Sequence, residues 1–178
     1  PLPCRVVMLD FTGEGFEPGG NPHGFEELSA PCEGMGEAMN VVWRELEMPP
    51  EDHYISVICD DVMLTSSDVV KLLALARLHQ LSAIQPAVAL NHELSREYGF
   101  LRQRPCVSMH RVPFVEMMAP FMRRDLWDLV LPFNRGKGSG YGLDRFALTT
   151  CGAHLNAWRF AAADCAPMTH IRRGRTIQ

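Results

Sequence analysis

Three groups of residues in this chain have the types and spacing to do chemistry. The first is Cys59-Asp60-Asp61, two carboxylates placed directly after the apolar run Tyr54 to Ile58. That run reads as a buried strand, and in open α/β sheets ligands bind beyond the carboxyl ends of the strands. Carboxylates at such a place can hold Mg²⁺ or Mn²⁺, hard cations that take oxygen ligands and bridge to phosphates. Neighbouring side chains at a strand end point in opposite directions, so one of Asp60 and Asp61 is expected to face a ligand. The plainer alternative is an Asp pair capping a turn. The second group runs from Gly136 through Gly138, Ser139, Gly140 and Gly142 to Asp144. Glycines let a backbone approach a ligand closely, and the N-terminus of the helix expected after them attracts negative charge. Asp144 falls in the first turn of that helix, where the dipole favours a carboxylate whether or not it has a further task. The third is His170, close to Arg172 and Arg173. Imidazole is a competent metal ligand and guanidinium groups suit phosphates, although a lone histidine near a chain end is also simply solvated.

The elements that must position these groups follow from periodicity and punctuation. Arg5 to Leu9 is an apolar strand ending at Asp10, and residues 12–34, rich in Gly, Pro and Asn, read as a loop. Met39, Val42, Trp43 and Leu46 mark a helix over Gly36–Leu46, stopped by Pro49-Pro50. After the strand 54–58, Ser66-Ser67-Asp68 opens a helix that should end near His79-Gln80. Ser82 to Gln85 predicts a strand broken by Pro86, residues 91–105 a loop, Val112 to Met118 a strand bearing Glu116, and Arg123 to Val130 a short helix. A helix from Leu143 to about Cys151 and a strand from Trp158 to Ala163 precede a basic tail. Strands alternate with helices, so the expected fold is α/β with a largely parallel sheet flanked by helices. No linker divides the chain, and residues 1–178 are read as a single domain.

Composition narrows the function classes. Of 178 residues, 47% are hydrophobic and 21% charged, which excludes a disordered chain. A net charge of −4 with scattered arginines offers no general grip on nucleic acid. No apolar run approaches the ~20 residues of a membrane helix. Six cysteines without a Cys-x-x-Cys motif read as reduced thiols and hence a cytoplasmic setting. The opening Pro1-Leu2-Pro3 has neither an initiator Met nor a signal-peptide core, as in a trimmed piece of something longer. The oligomeric state stays open, with exposed Met117, Met118 and Phe121 forming a contact surface if that strand lies at an edge.

The order of the motifs carries more than any one of them. An acidic strand end (Cys59-Asp60-Asp61-Val62), a glycine loop (Gly138-Ser139-Gly140), an acid at a helix start (Gly142-Leu143-Asp144) and a late Thr169-His170 resemble the plan of GT-A-type nucleotide-sugar glycosyltransferases. Val115-Glu116-Met117-Met118-Ala119-Pro120-Phe121 and Ser139-Gly140-Tyr141-Gly142-Leu143-Asp144 are similar in particular to an uncharacterised bacterial and plant branch of such proteins. The resemblance spans roughly residues 5–173. It implies a GT-A-like (Rossmann-like) fold and transfer of a sugar from a nucleotide-linked donor, UDP favoured by analogy, to a saccharide or other hydroxyl acceptor. Asp61 and His170 then match the ligands of a Mn²⁺ or Mg²⁺ ion on the donor diphosphate. Asp144 matches the base, and Glu116 lies near the acceptor or supports Asp144. Asp10, Asp60 and the loop Gly138, Ser139, Gly140 contact the donor. Two departures stand out: Cys59 occupies the place of the first Asp of Asp-x-Asp, and Arg5–Asp10 leave no room for the extra strand and helix with which relatives begin. A non-catalytic saccharide- or partner-binding relative, or a metal-dependent phosphohydrolase or nucleotidyltransferase using Asp60 with Asp61, are the alternatives.

Overall fold

The computed structural model describes residues 5–15, 25–90, 98–133, 142 and 159–170, which form eight strands and three α-helices. They fall into two compact units, one of Pro1–Met48 with Leu131–Tyr141, the other of Pro49–Val130 with Gly142–Gln178.

In the first unit, β1 (Val7–Asp10) pairs in parallel with β2 (Glu26–Ser29), Asp10 opposite Ser29. β2 lies inside the stretch expected to be loop. Its residues are mostly polar and exposed, so no alternation announced it. It is held by the β1 ladder and by a forked ion pair in which Arg5 Nη2 and Nε reach the Glu26 carboxylate at 2.7 and 2.9 Å. Helix α1 (Met35–Glu45) follows, with Glu37 in its first turn and Arg44 in its last, as the dipole favours.

The second unit is built on a six-stranded sheet in the order β3 (Tyr54–Ser56), β7 (Phe121–Arg123), β5 (Ala83–Val88), β8 (Phe160–His170). Along the outer edge of β8 lie first β6 (His110–Arg111) and then β4 (Val62–Met63). Only β5 and β8 pair in parallel; the β3–β7, β5–β7, β6–β8 and β4–β8 ladders are antiparallel. The sheet is therefore mixed, not mostly parallel as the alternation of elements suggested. Among the described residues no α-helix lies between β5 and β7, and parallel neighbours need such a crossover.

Three further expectations are corrected. β5 runs through Pro86 to Val88, completely buried. It can do so because β7 pairs only with Ala83 and Ile84, so no β7 residue faces the missing N–H of Pro86. Val112 to Met118 is not a strand: Pro113 interrupts it, and the backbone from Val112 to Pro120 is irregular. Met117, Met118 and Phe121 are nonetheless buried, at 8%, 8% and 5% exposure, which removes the proposed contact surface.

Helix α2 (Ser66–Leu78) backs the sheet, and α3 (Arg124–Val130) leaves β7. The N-cap of α2 is Thr65, one residue before the expected Ser-Ser-Asp cluster. Its hydroxyl accepts from the Asp68 N–H while Asp68 caps the Thr65 N–H, a reciprocal capping box. Leu72 and Ala76 of α2 pack on Ile84 and Phe121 and on the small side chains Ala161, Ala163 and Ala166 of β8.

Candidate functional site

The acidic residues expected at a strand end occupy a turn. The Val62 N–H donates to the Cys59 carbonyl at 3.1 Å, which makes Asp60 and Asp61 the central pair of a β-turn. The turn is fastened on its far side by the Cys59 N–H, donating to the Met118 carbonyl at 3.0 Å. Asp60 is exposed, and Asp61 is turned inward. Immediately after the turn, β4 pairs with the end of β8 so that Val62 lies opposite His170. This register brings the residue before Val62 to His170: Asp61 Oδ2 and His170 Nε2 are 3.1 Å apart, with side chains 27% and 18% exposed. Residues 109 positions apart in the chain, singled out separately, thus meet.

Glu116 belongs to the same neighbourhood. Its N–H donates to Oε1 of the buried Gln85, and its Oε2 accepts the Met118 N–H at 2.7 Å. Met118 in turn holds Cys59, so one short network links Gln85, Glu116, Met118 and the acidic turn. Electrostatics show the same grouping. Burial, and then the negative charges of Asp61, Glu116 and Asp60, push the Cys59 thiol up to about 12. At neutral pH the position of the first Asp of Asp-x-Asp therefore holds a neutral thiol.

Asp10 has a different occupation. In the first unit its carboxylate accepts the Thr12 N–H and hydroxyl at 2.9 and 2.8 Å, the Gly15 N–H at 2.8 Å and the Ser29 hydroxyl at 2.8 Å. Those bonds, the Ser29 hydroxyl foremost, hold its acid well below the usual carboxylate range and use its acceptor capacity within its own unit. Gly138, Ser139, Gly140 and Asp144 lie outside the described residues. Their neighbour Gly142 has φ 90°, a left-handed backbone that glycine adopts without strain.

The donor set at the turn can be tested against a divalent cation. Asp61 Oδ1 is sequestered from water and accepts no hydrogen bond among the described residues. A buried carboxylate oxygen without a donor costs of order 1–3 kcal/mol, a cost that a cation removes. One carboxylate and one imidazole fit Mn²⁺ better than Mg²⁺, since imidazole is the softer ligand. Among the described residues no three His, Cys, Asp or Glu side chains converge as a cage. Asp61 and His170 would supply two positions, with phosphate oxygens and water taking the others.

A second polar cluster was not singled out from the sequence. His110 Nδ1 lies 2.7 Å from Asp164 Oδ2, with side chains 6% and 0% exposed, and His110 Nε2 lies 2.8 Å from the Phe100 carbonyl. The signal that could have found it is a lone charge inside the apolar strand Phe160-Ala161-Ala162-Ala163-Asp164. Cys32, Cys59, Cys106 and Cys165 carry free thiols. Among the described residues no helix is long and apolar enough to cross a membrane. No family model, curated protein or solved structure matches the chain.

Proposed function

We propose that the chain is a metal-dependent glycosyltransferase with a GT-A-like domain, moving a sugar from a nucleotide-linked donor to a hydroxyl acceptor. The observation that carries this reading is the approach of Asp61 to His170 at 3.1 Å, with one Asp61 oxygen buried and accepting no hydrogen bond among the described residues. Two residues that occupy the metal-ligand places of the resembled motif order are brought together by the β4–β8 register.

Asp61 and His170 would hold Mn²⁺, which when bound neutralises charge on the leaving nucleoside diphosphate. The remaining roles fall to side chains of this chain. Asp60, exposed on the turn, would meet the donor ribose or base. Glu116 adds negative charge beside the turn and favours cation uptake there. Asp144 is the base toward the acceptor hydroxyl, raising its nucleophilicity as a proton leaves. With Cys59 neutral, the first place of the Asp-x-Asp pattern supplies no carboxylate oxygen, and metal affinity at the turn is correspondingly weaker.

The test is a thermal-shift screen of nucleoside diphosphates and their sugars with and without Mn²⁺, followed by turnover assays on the ligands that bind. At a hundredfold excess over Kd, a ligand of the folded state raises Tm by on the order of 5 °C. The expected result is a UDP-type shift that requires Mn²⁺ and disappears in Asp61→Asn, with sugar release or transfer in the wild type. A shift without turnover favours a binding relative. Phosphate release from simple nucleotides with no sugar present favours a phosphohydrolase. No Mn²⁺-dependent shift from any nucleotide refutes the proposal.

A further inference from the structure

The ladder of β8 is interrupted before the strand reaches Asp61. Pro86 of β5 pairs with Ala163 of β8, and Val88 pairs with Met168, so five residue steps of β8 face two of β5. An odd excess inverts which residues face each side of the sheet. Ala161 and Ala163 before the bulge and Ala166 within it enter one core with Leu72 and Ala76 of α2. His170 shares the parity of Ala166 and Met168. In an unbulged strand Thr169 would take that face.

The bulge is also where the outer edge of β8 changes partner, from β6 at Ala161 and Ala162 to β4 at Thr169 and His170. It is fastened at Asp164 and Cys165. The Asp164 carboxylate accepts the Arg104 N–H and faces His110 Nδ1, while its carbonyl accepts Gln103 Nε2 at 3.0 Å. The next N–H, of Cys165, donates to the Ser108 carbonyl at 3.1 Å. His110 is itself held by the Phe100 carbonyl and by its place opposite Ala162. Bulges beside functional sites re-aim side chains in this way.

We propose that His110 and Asp164 are positioning residues: as a buried pair they pin a face-inverting bulge in β8 that delivers His170 to Asp61. The inference deepens the proposed function and rests on it for the claim that the Asp61–His170 pair holds a metal. Neither His110 nor Asp164 touches that pair; they act through the strand.

The test uses the whole chain with ¹⁵N-labelled histidine. Asp164→Asn keeps the shape of the side chain and removes its charge, and His110→Gln keeps a donor toward Asp164. Circular dichroism first establishes which variants fold. In a folded variant the His170 ring resonances are expected to leave their wild-type positions toward those in Asp61→Asn. Mn²⁺ affinity, read from the electron paramagnetic resonance of the free ion, is expected to fall at least tenfold. Asp128→Asn, which removes an exposed ion pair of α3 with Arg124, leaves both readings unchanged. Should both buried substitutions unfold the chain, Gln103→Ala removes one bond to the Asp164 carbonyl, with a smaller displacement of His170 expected. A folded variant of this series with His170 at its wild-type resonance overturns the positioning role. A wild-type chain that takes up no Mn²⁺ overturns the metal reading instead, and the His170 resonance still decides the role of the bulge.

Discussion

Cys59 is the residue at which this site departs most clearly from the motif it resembles. Burial and three neighbouring carboxylates push its thiol from an ordinary value of 9.0 to about 12. The thiolate is the nucleophile, so at pH 8 iodoacetamide should label the exposed Cys106 and Cys165 well before Cys59, as peptide mass mapping will show. The sign of the stability effect follows. A group whose folded value is raised contributes stability that is complete below pH 9 and is lost as pH climbs toward about 12. The urea midpoint should therefore fall over that range, and less steeply in Cys59→Ala. Cys59→Asp should lower Tm without metal through like-charge repulsion, yet tighten Mn²⁺ binding roughly tenfold by adding an oxygen ligand. Unchanged Mn²⁺ affinity in that variant would count against a cation at the turn. The sequence made Asp10 and Asp61 look alike, each a carboxylate just after an apolar run. What separates them is where their lone pairs go, Asp10 to Thr12, Gly15 and Ser29 and one oxygen of Asp61 to no donor among the described residues.

Elements differ in how much of their placement local chemistry dictates. Helix α2 was legible because its signals are short in range: apolar spacing, an acid in the first turn and Arg77 in the last. The capping box that starts it supports a direct prediction. Thr65→Ala should cost about 1 kcal/mol and lower Tm by roughly 2–4 °C, measured by calorimetry, while leaving the Asp61–His170 site intact. A Tm unchanged within about 0.5 °C would mean that tertiary packing alone fixes where α2 begins. The strands were harder, since their existence depends on partners far along the chain. Pro86 breaks an isolated strand pattern, but the end of β7 decides whether its missing N–H matters. β2 carries no alternation of its own and exists because β1 lies beside it. Val112 to Met118 has strand composition, yet Pro113 breaks it and it joins no ladder among the described residues. The length of β8 escaped for the same reason: Asp164 and Pro167 look like a strand end until His110 and the β4 edge are known.

At the scale of the whole chain, the division into two units bears on how it comes apart. Leu131–Tyr141 belongs with the N-terminal unit although the intervening residues form the second. Asn40 of α1 secures its start twice, donating Nδ2–H to the Phe133 carbonyl at 2.8 Å and accepting the Phe133 N–H at 2.7 Å. Among the described residues the buried apolar side chains of the first unit are Ala38, Met39, Val41 and Leu131, whereas β5, β7, β8, α2 and α3 of the second bury a far larger set. Regions with few buried apolar groups open at lower free energy than the core of the same chain. Native-state hydrogen exchange in sub-denaturing urea should therefore show the amides of β1, β2 and α1 exchanging before those of β5 and β8. Asn40→Ala should widen that gap, because removing a side chain that serves a part-buried backbone donor and acceptor costs about 1 kcal/mol. The loss should fall on α1 and residue 133 and leave protection of β5 and β8 within error. Equal losses in both sets of amides would show that the chain unfolds as a single cooperative body. In that case the Asp61–His170 register could not be separated from the integrity of the N-terminal unit.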